Sequence, residues 1–129
     1  MKIENQVCSL ESSKLLAELG LEVASYFVRL NTDGANTIMS AKDGWRGAPA
    51  YTVAELGQML PDWIKLSSSY SFNCLNHYGE WITWYENEYG DHLGNGQSMR
   101  EADARALLLI WLIKNKLVDV AVLNKRMEK

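Results

Sequence analysis

The sequence predicts an α+β protein: a small antiparallel sheet, built from a hairpin and a three-stranded meander, with a long C-terminal helix packed on it and two shorter helices. Three observations predict it. Helix starts are marked by one serine cap and two capping boxes, Thr52-Val53-Ala54-Glu55 and Ser98-Met99-Arg100-Glu101. Between these starts the spacing of apolar residues switches from helical to a period of two. The alternating runs are joined by short turns, which makes neighbours antiparallel. With 129 residues, 47% hydrophobic and 22% charged, the composition is ordinarily globular and fits one domain over residues 1–129, with 118–129 as a tail extension.

Ser9 precedes the first helix, whose Leu15, Leu16 and Leu19 have helical spacing. Gly20 follows as a left-handed C′ residue, and Leu21 is placed to make the accompanying apolar contact. Ser25 to Leu30 alternates, Asp33-Gly34 marks a turn, and Asn36 to Ser40 returns as the second arm of a hairpin. The helix opened by Thr52 is short because Pro61 stops it. Trp63 to Leu66, Tyr70 to Leu75 and Trp81 to Glu86 read as the three strands of the meander. In the last of these Trp81, Thr83 and Tyr85 share one face and Ile82 and Trp84 the other, so both faces are expected to be covered.

The longest helix is expected over roughly Met99 to Asn115, with Glu101 and Asp103 favouring its positive end and Lys114 and Lys116 its negative end. Its apolar residues, from Ala104 to Ile113, cover more than one stripe. It must therefore be packed on two sides or face an oligomer partner, and a homodimer through this helix is one expectation. The tail after Leu117 is open: a helical turn, an added strand or a frayed end.

The totals exclude several classes. A net charge of −3 gives no global attraction to nucleic acid or anionic lipid. The longest apolar run, Ala106 to Ile113, is too short to span a bilayer. The start, Met1 to Gln6, turns polar at once and reads as no signal peptide, so the expected location is the cytosol. Cys8 and Cys74 are then expected as two unlinked thiols. The two cysteines and two histidines form no CxxC or HxxxH pair, so no metal and no cofactor is expected. There is no nucleophile elbow, Walker loop or dinucleotide fingerprint.

Two candidate sites remain. The first combines two glycine-rich loops, Lys42 to Pro49 and Glu88 to Gln97. Trp45 offers a stacking face and Arg46 a fork for phosphate or carboxylate. The backbone of Gly94 and Gly96, with Ser98 behind it, would bind an anion at a helix start. If both loops lie on one edge of the sheet, these five residues form one rim suited to a nucleotide or an acidic protein loop. The second is a carboxylate group, Glu80, Glu86, Glu88, Asp91 and His92, beside a strand rich in aromatics. That setting is known from sugar-binding clefts and would make the chain an enzyme acting on a small polar substrate.

Three blocks carry a resemblance. They are Met1 to Glu11 with Ala17-Glu18-Leu19-Gly20, then Tyr51 to Pro61, then Glu101 to Ala106 with Leu109 to Leu117. In order and spacing they are similar to small proteins encoded by phages and prophages of gut bacteria. The blocks are helix caps and core faces, so the resemblance transfers no site residue. It implies a host bacterial cytosol and a stoichiometric accessory role, including anti-defence. Such a protein blocks a host protein or sequesters a nucleotide-like signalling molecule. A non-enzymatic binding protein is the leading expectation.

Overall fold

The computed structural model describes residues 2–32, 35–41 and 48–128. Among these the chain runs through α1 (Leu10–Glu18), β1 (Phe27–Thr32), β2 (Ala35–Ser40), β3 (Ala48–Pro49), α2 (Val53–Met59) and β4 (Trp63–Lys65). It continues through β5 (Ser69–His77), β6 (Glu80–Glu86), β7 (His92–Ser98), α3 (Glu101–Lys114) and α4 (Val120–Arg126). The strands form two antiparallel sheets, β2-β1-β3 and β4-β5-β6-β7. No helix among the described residues is long and apolar enough to cross a membrane.

The caps set the helix boundaries. Ser9 Oγ accepts from Ser12 N at 3.2 Å at the start of α1, and Gly20 follows its end at φ +98°. Leu21 N then donates to Leu16 O at 3.0 Å, closing the turn that only a left-handed residue permits. The capping box of α2 is complete: Thr52 Oγ1 accepts from Glu55 N at 3.1 Å, and Glu55 Oε1 accepts from Thr52 N at 3.0 Å.

Four expectations are corrected. The hairpin and the meander do not share one sheet: β1 and β2 pair with β3, apart from the sheet of β4 to β7. The long helix is central rather than C-terminal, because α4 follows it, capped by Asp119 Oδ1 accepting from Ala121 N at 2.9 Å. The tail is therefore a helix. The expected capping box at Ser98 does not form: α3 starts at Glu101 behind Arg100, which makes no side-chain cap, and Ser98 Oγ instead accepts from Arg100 N at 3.2 Å. The segment expected as a second glycine-rich loop is largely β7, so the meander has four strands. Glycines depress strand propensity, yet here the neighbouring helix leaves no room for larger residues.

α3 is buried on several sides. Ala102, Ala104, Ala106, Leu108, Leu109 and Leu112 are fully buried. The helix lies on β6 and β7 and is backed by α1 and α2. Its apolar breadth is thus absorbed within the chain, which removes the reason for a homodimer through this helix. Leu16 of α1, Leu56 and Met59 of α2, Ile64 of β4, Tyr85 of β6 and Leu123 of α4 complete one cluster with it.

Candidate binding face on the four-stranded sheet

Alternation along β4 to β7 gives the sheet two unlike faces. Ile64, Thr83 and Tyr85 point inward and are buried, and Tyr70 and Phe72 pack against the same core. Thr83 Oγ1 donates to Ala104 O at 2.9 Å, fastening β6 to α3, and Tyr85 Oη donates to Pro61 O at 2.5 Å. The opposite face presents Trp63, Ser71, Asn73, Leu75, Ile82, Trp84 and Glu86.

That face was expected to be covered. Among the described residues no layer lies on it, and Trp63 and Leu75 stand 58% and 48% exposed. A sheet face with large apolar side chains in water is the informative departure from the rule that such residues go inside.

Glycine sets the geometry of the β7 edge. The pairing passes from Thr83↔Gly96 to Tyr85↔Leu93, so Gly94 and Asn95 both stand opposite Trp84. This bulge needs a left-handed residue, and Gly94 adopts φ +75°. The extra residue keeps Leu93 and Gly96 facing α3 while Asn95 joins Trp84 on the outer face.

A shallow apolar depression of about 430 Å³ results, lined by Leu75, Ile82, Trp84 and Asn95. His92 stacks on Trp84 with ring centroids 5.5 Å apart and 25° between planes. Glu86 Oε1 holds His92 Nε2 at 2.7 Å and accepts from Trp84 Nε1 at 3.3 Å. These contacts pin the Trp84 ring, so little side-chain freedom is lost when a partner covers it.

Beside this lies a polar cavity of about 620 Å³, walled by Trp63, Ser71, Asn73, Glu86, Glu88 and Tyr89. Its rim is built by Asn87, which sequence reasoning missed. Asn87 Oδ1 accepts from Tyr89 N at 3.0 Å and Asp91 N at 2.9 Å. Its Nδ2 donates to Ser68 Oγ at 3.0 Å and Asp91 Oδ2 at 3.2 Å. One buried amide therefore ties the β6–β7 turn to the β4–β5 turn. No sequence signal separates this asparagine from an ordinary turn residue. Trp63 and Leu75 did have one: the polar residues alternating with them mark the face that meets water.

The expected site residues fare differently. Trp45 and Arg46 lie outside the described residues, and with them the convergence of the two loops. Gly94 and Gly96 sit in β7 with their α-carbons against α3: a side-chain carbon on Gly94 would press on Leu108 and Trp111, and one on Gly96 on Ala104 O, Thr83 Oγ1 and Leu108 N. Ser98 ends the strand. Of the carboxylate group, Glu86 and His92 form the pair above, and Glu88 shares the polar cavity with Glu86. Asp91 is engaged by Asn87, and Glu80 accepts from Gln97 Nε2 at 3.2 Å. Glu80 and Glu86 end opposite tips of one strand, about 20 Å apart at the usual rise per residue. The five residues thus do not form one site.

A separate, mainly apolar cleft of about 860 Å³ lies where α2 and α3 begin, lined in part by Val53, Trp81 and Met99. Two of its polar side chains are occupied, Thr52 in the capping box and Glu101 with Arg105 Nη2 at 2.8 Å.

Both thiols are free. Burial pushes the Cys8 thiol up to about 11, and it also raises Cys74. Neither is primed as a thiolate nucleophile. No family model, curated protein or solved structure matches the chain.

Proposed function

We propose that the chain is a non-enzymatic binding protein that holds a protein partner on the outer face of its four-stranded sheet. The observation that carries this reading is the row Trp63, Leu75, Ile82 and Trp84 on a face over which no layer lies among the described residues. An aromatic anchor pinned by its neighbours and ringed by polar groups is the usual anatomy of an interface centre. Glu86 and Glu88 at one end of the face repel the phosphates of a nucleotide-like molecule, so a protein is the better fit of the two expected partners. The phage resemblance supplies the class: a protein of the host bacterium, blocked stoichiometrically in the host cytosol in an accessory or anti-defence role.

The test compares host proteins retained by the immobilised chain and by Trp84→Ala and Leu75→Glu. The expected result is a protein retained by the wild type and lost with both variants, while both melt within a few degrees of the wild type. The same proteins retained by all three would overturn the reading.

The Glu86–His92 pair at 2.7 Å favours a second reading, an enzyme acting on a small polar substrate in the adjoining cavity. A carboxylate oriented on an imidazole is a recurrent acid–base arrangement. Mass spectrometry of a host metabolite extract incubated with the chain decides it. A metabolite consumed by the wild type and untouched by Glu86→Gln would establish it, and an unchanged extract would remove it.

A further inference from the structure

We propose that the edge of β4 accepts an extended, acidic segment of a partner protein as a fifth strand. This stands on observations apart from the outer face and does not depend on it.

Among the described residues β4 is an edge strand, bonded to β5 on one side only. Its pairing is fixed by Phe72 N donating to Asp62 O at 3.3 Å and Leu66 N donating to Ser68 O at 3.0 Å, with Ile64 opposite Tyr70 between them. In an antiparallel ladder alternate residues bond to the same neighbour. Asp62, Ile64 and Leu66 therefore turn their backbone groups to β5, and Trp63 and Lys65 turn theirs away. Among the described residues no backbone partner meets the amides or carbonyls of Trp63 and Lys65. This is the arrangement to which an added strand bonds.

A groove of about 500 Å³ runs along this edge, between β4 and the segment that joins α3 to α4. Its walls carry apolar side chains, with Leu66 52% and Val122 62% exposed and Leu117 also lining it. Among the described residues that line it, the charges are Lys65, Lys116 and Arg126 against the one carboxylate of Asp119, in a chain whose net charge is −3. Asp119 already caps α4. Arg126 is fixed on the wall by donating from Nη2 to Gln58 O at 3.1 Å and Met59 O at 3.2 Å. Three cations on an apolar groove beside unpaired strand groups select one chemistry: an extended segment alternating apolar and acidic residues. Lys65 also repels the same edge of a second copy, which is how natural sheets suppress self-pairing.

The test is fluorescence anisotropy of the full chain with a fluorescein-labelled peptide of about seven residues, alternating valine and glutamate. Saturable binding tighter than about 100 µM is expected. Replacing the glutamates by lysine, or making Lys116→Glu, should weaken it about tenfold or more. N-methylation of the peptide amides along one edge should abolish binding, while methylation along the other edge leaves it intact. The proposal is overturned by absent saturation, by equal affinity of the glutamate and lysine peptides, or by indifference to methylation on either edge. It is also overturned by a two-chain sedimentation mass that Lys65→Pro reduces to one, which would give the edge to a second copy.

Discussion

Gly96 of β7 runs directly beneath Ala104 of α3, so close that a side-chain carbon on Gly96 would overlap the Ala104 carbonyl oxygen. That carbonyl also accepts from Thr83 Oγ1, so the helix backbone cannot move aside without breaking the tie. Gly96→Ala should destabilise the chain by about 3 kcal/mol or more. Gly94→Ala meets the ends of the Leu108 and Trp111 side chains instead, but at φ +75°. Its cost should be about 1–2 kcal/mol. Urea denaturation of both variants checks the order, and a Gly96→Ala midpoint equal to the wild type would refute the close packing.

The same helix holds the core. Leu108 is fully buried and Ile110 is 5% exposed. Leu108→Ala and Ile110→Ala should each cost about 2–5 kcal/mol. Unshifted urea midpoints would make α3 peripheral.

Most of the fold was legible because its signals are local. Ser9, Thr52 and Gly20 mark helix ends through bonds made within a few residues, and the runs Trp63 to Leu66 and Trp81 to Glu86 declare strands by alternation. β7 was hidden for a physical reason. Gly94 and Gly96 read as a loop by propensity, while their role is set by α3, which packs on them from later in the chain. Ser98 likewise lost the cap role that its spacing suggested, because the strand runs through it and the helix begins only at Glu101. The candidate site was less legible still. Leu75 shares its face with the polar Ser71 and Asn73, which marks that side for water, but the alternation of Ile82 and Trp84 with buried neighbours does not say that, among the described residues, no later element returns to cover them.

Alkaline pH should destabilise the chain through its buried thiol and phenols. The Cys8 thiol, raised by burial from 9.0 to about 11, is protonated in the folded state where the unfolded thiol has already ionised. A raised folded value means that its stabilising contribution is complete below pH 9 and is lost as pH rises through about 11. Burial raises Tyr51 and Tyr85 as well, so their contributions are withdrawn in the same direction, starting above pH 10. Melting temperature should be level from pH 7 to about 9 and then fall steadily. Cys8→Ala should flatten the first part of that fall, and an unchanged profile in this variant would assign the loss elsewhere.

The thiols also report the fold. Both are free, with Cys8 buried and Cys74 partly exposed. A disulfide reagent should find two thiols in the unfolded chain and modify Cys74 first in the native one. Equal native rates would mean that the region around Cys8 opens readily.

Glu55 does more than its capping box requires. Its Oε1 accepts from Thr52 N and from Ser25 Oγ, each at 3.0 Å, and Oε2 accepts from Tyr26 N at 3.0 Å. Glu55 is 6% exposed, and these bonds anchor the start of α2 to the segment that enters β1. Glu55→Ala leaves those donors without their acceptor and should cost about 2–4 kcal/mol, more than the loss of a cap alone. Glu55→Gln keeps one carbonyl acceptor and should cost about half as much. Hydrogen exchange separates the two roles. In Glu55→Ala the Tyr26 amide should lose protection along with the first turn of α2, whereas Thr52→Ala should expose the α2 amides alone. If Tyr26 stays protected in Glu55→Ala, the link between α2 and β1 is carried by other contacts.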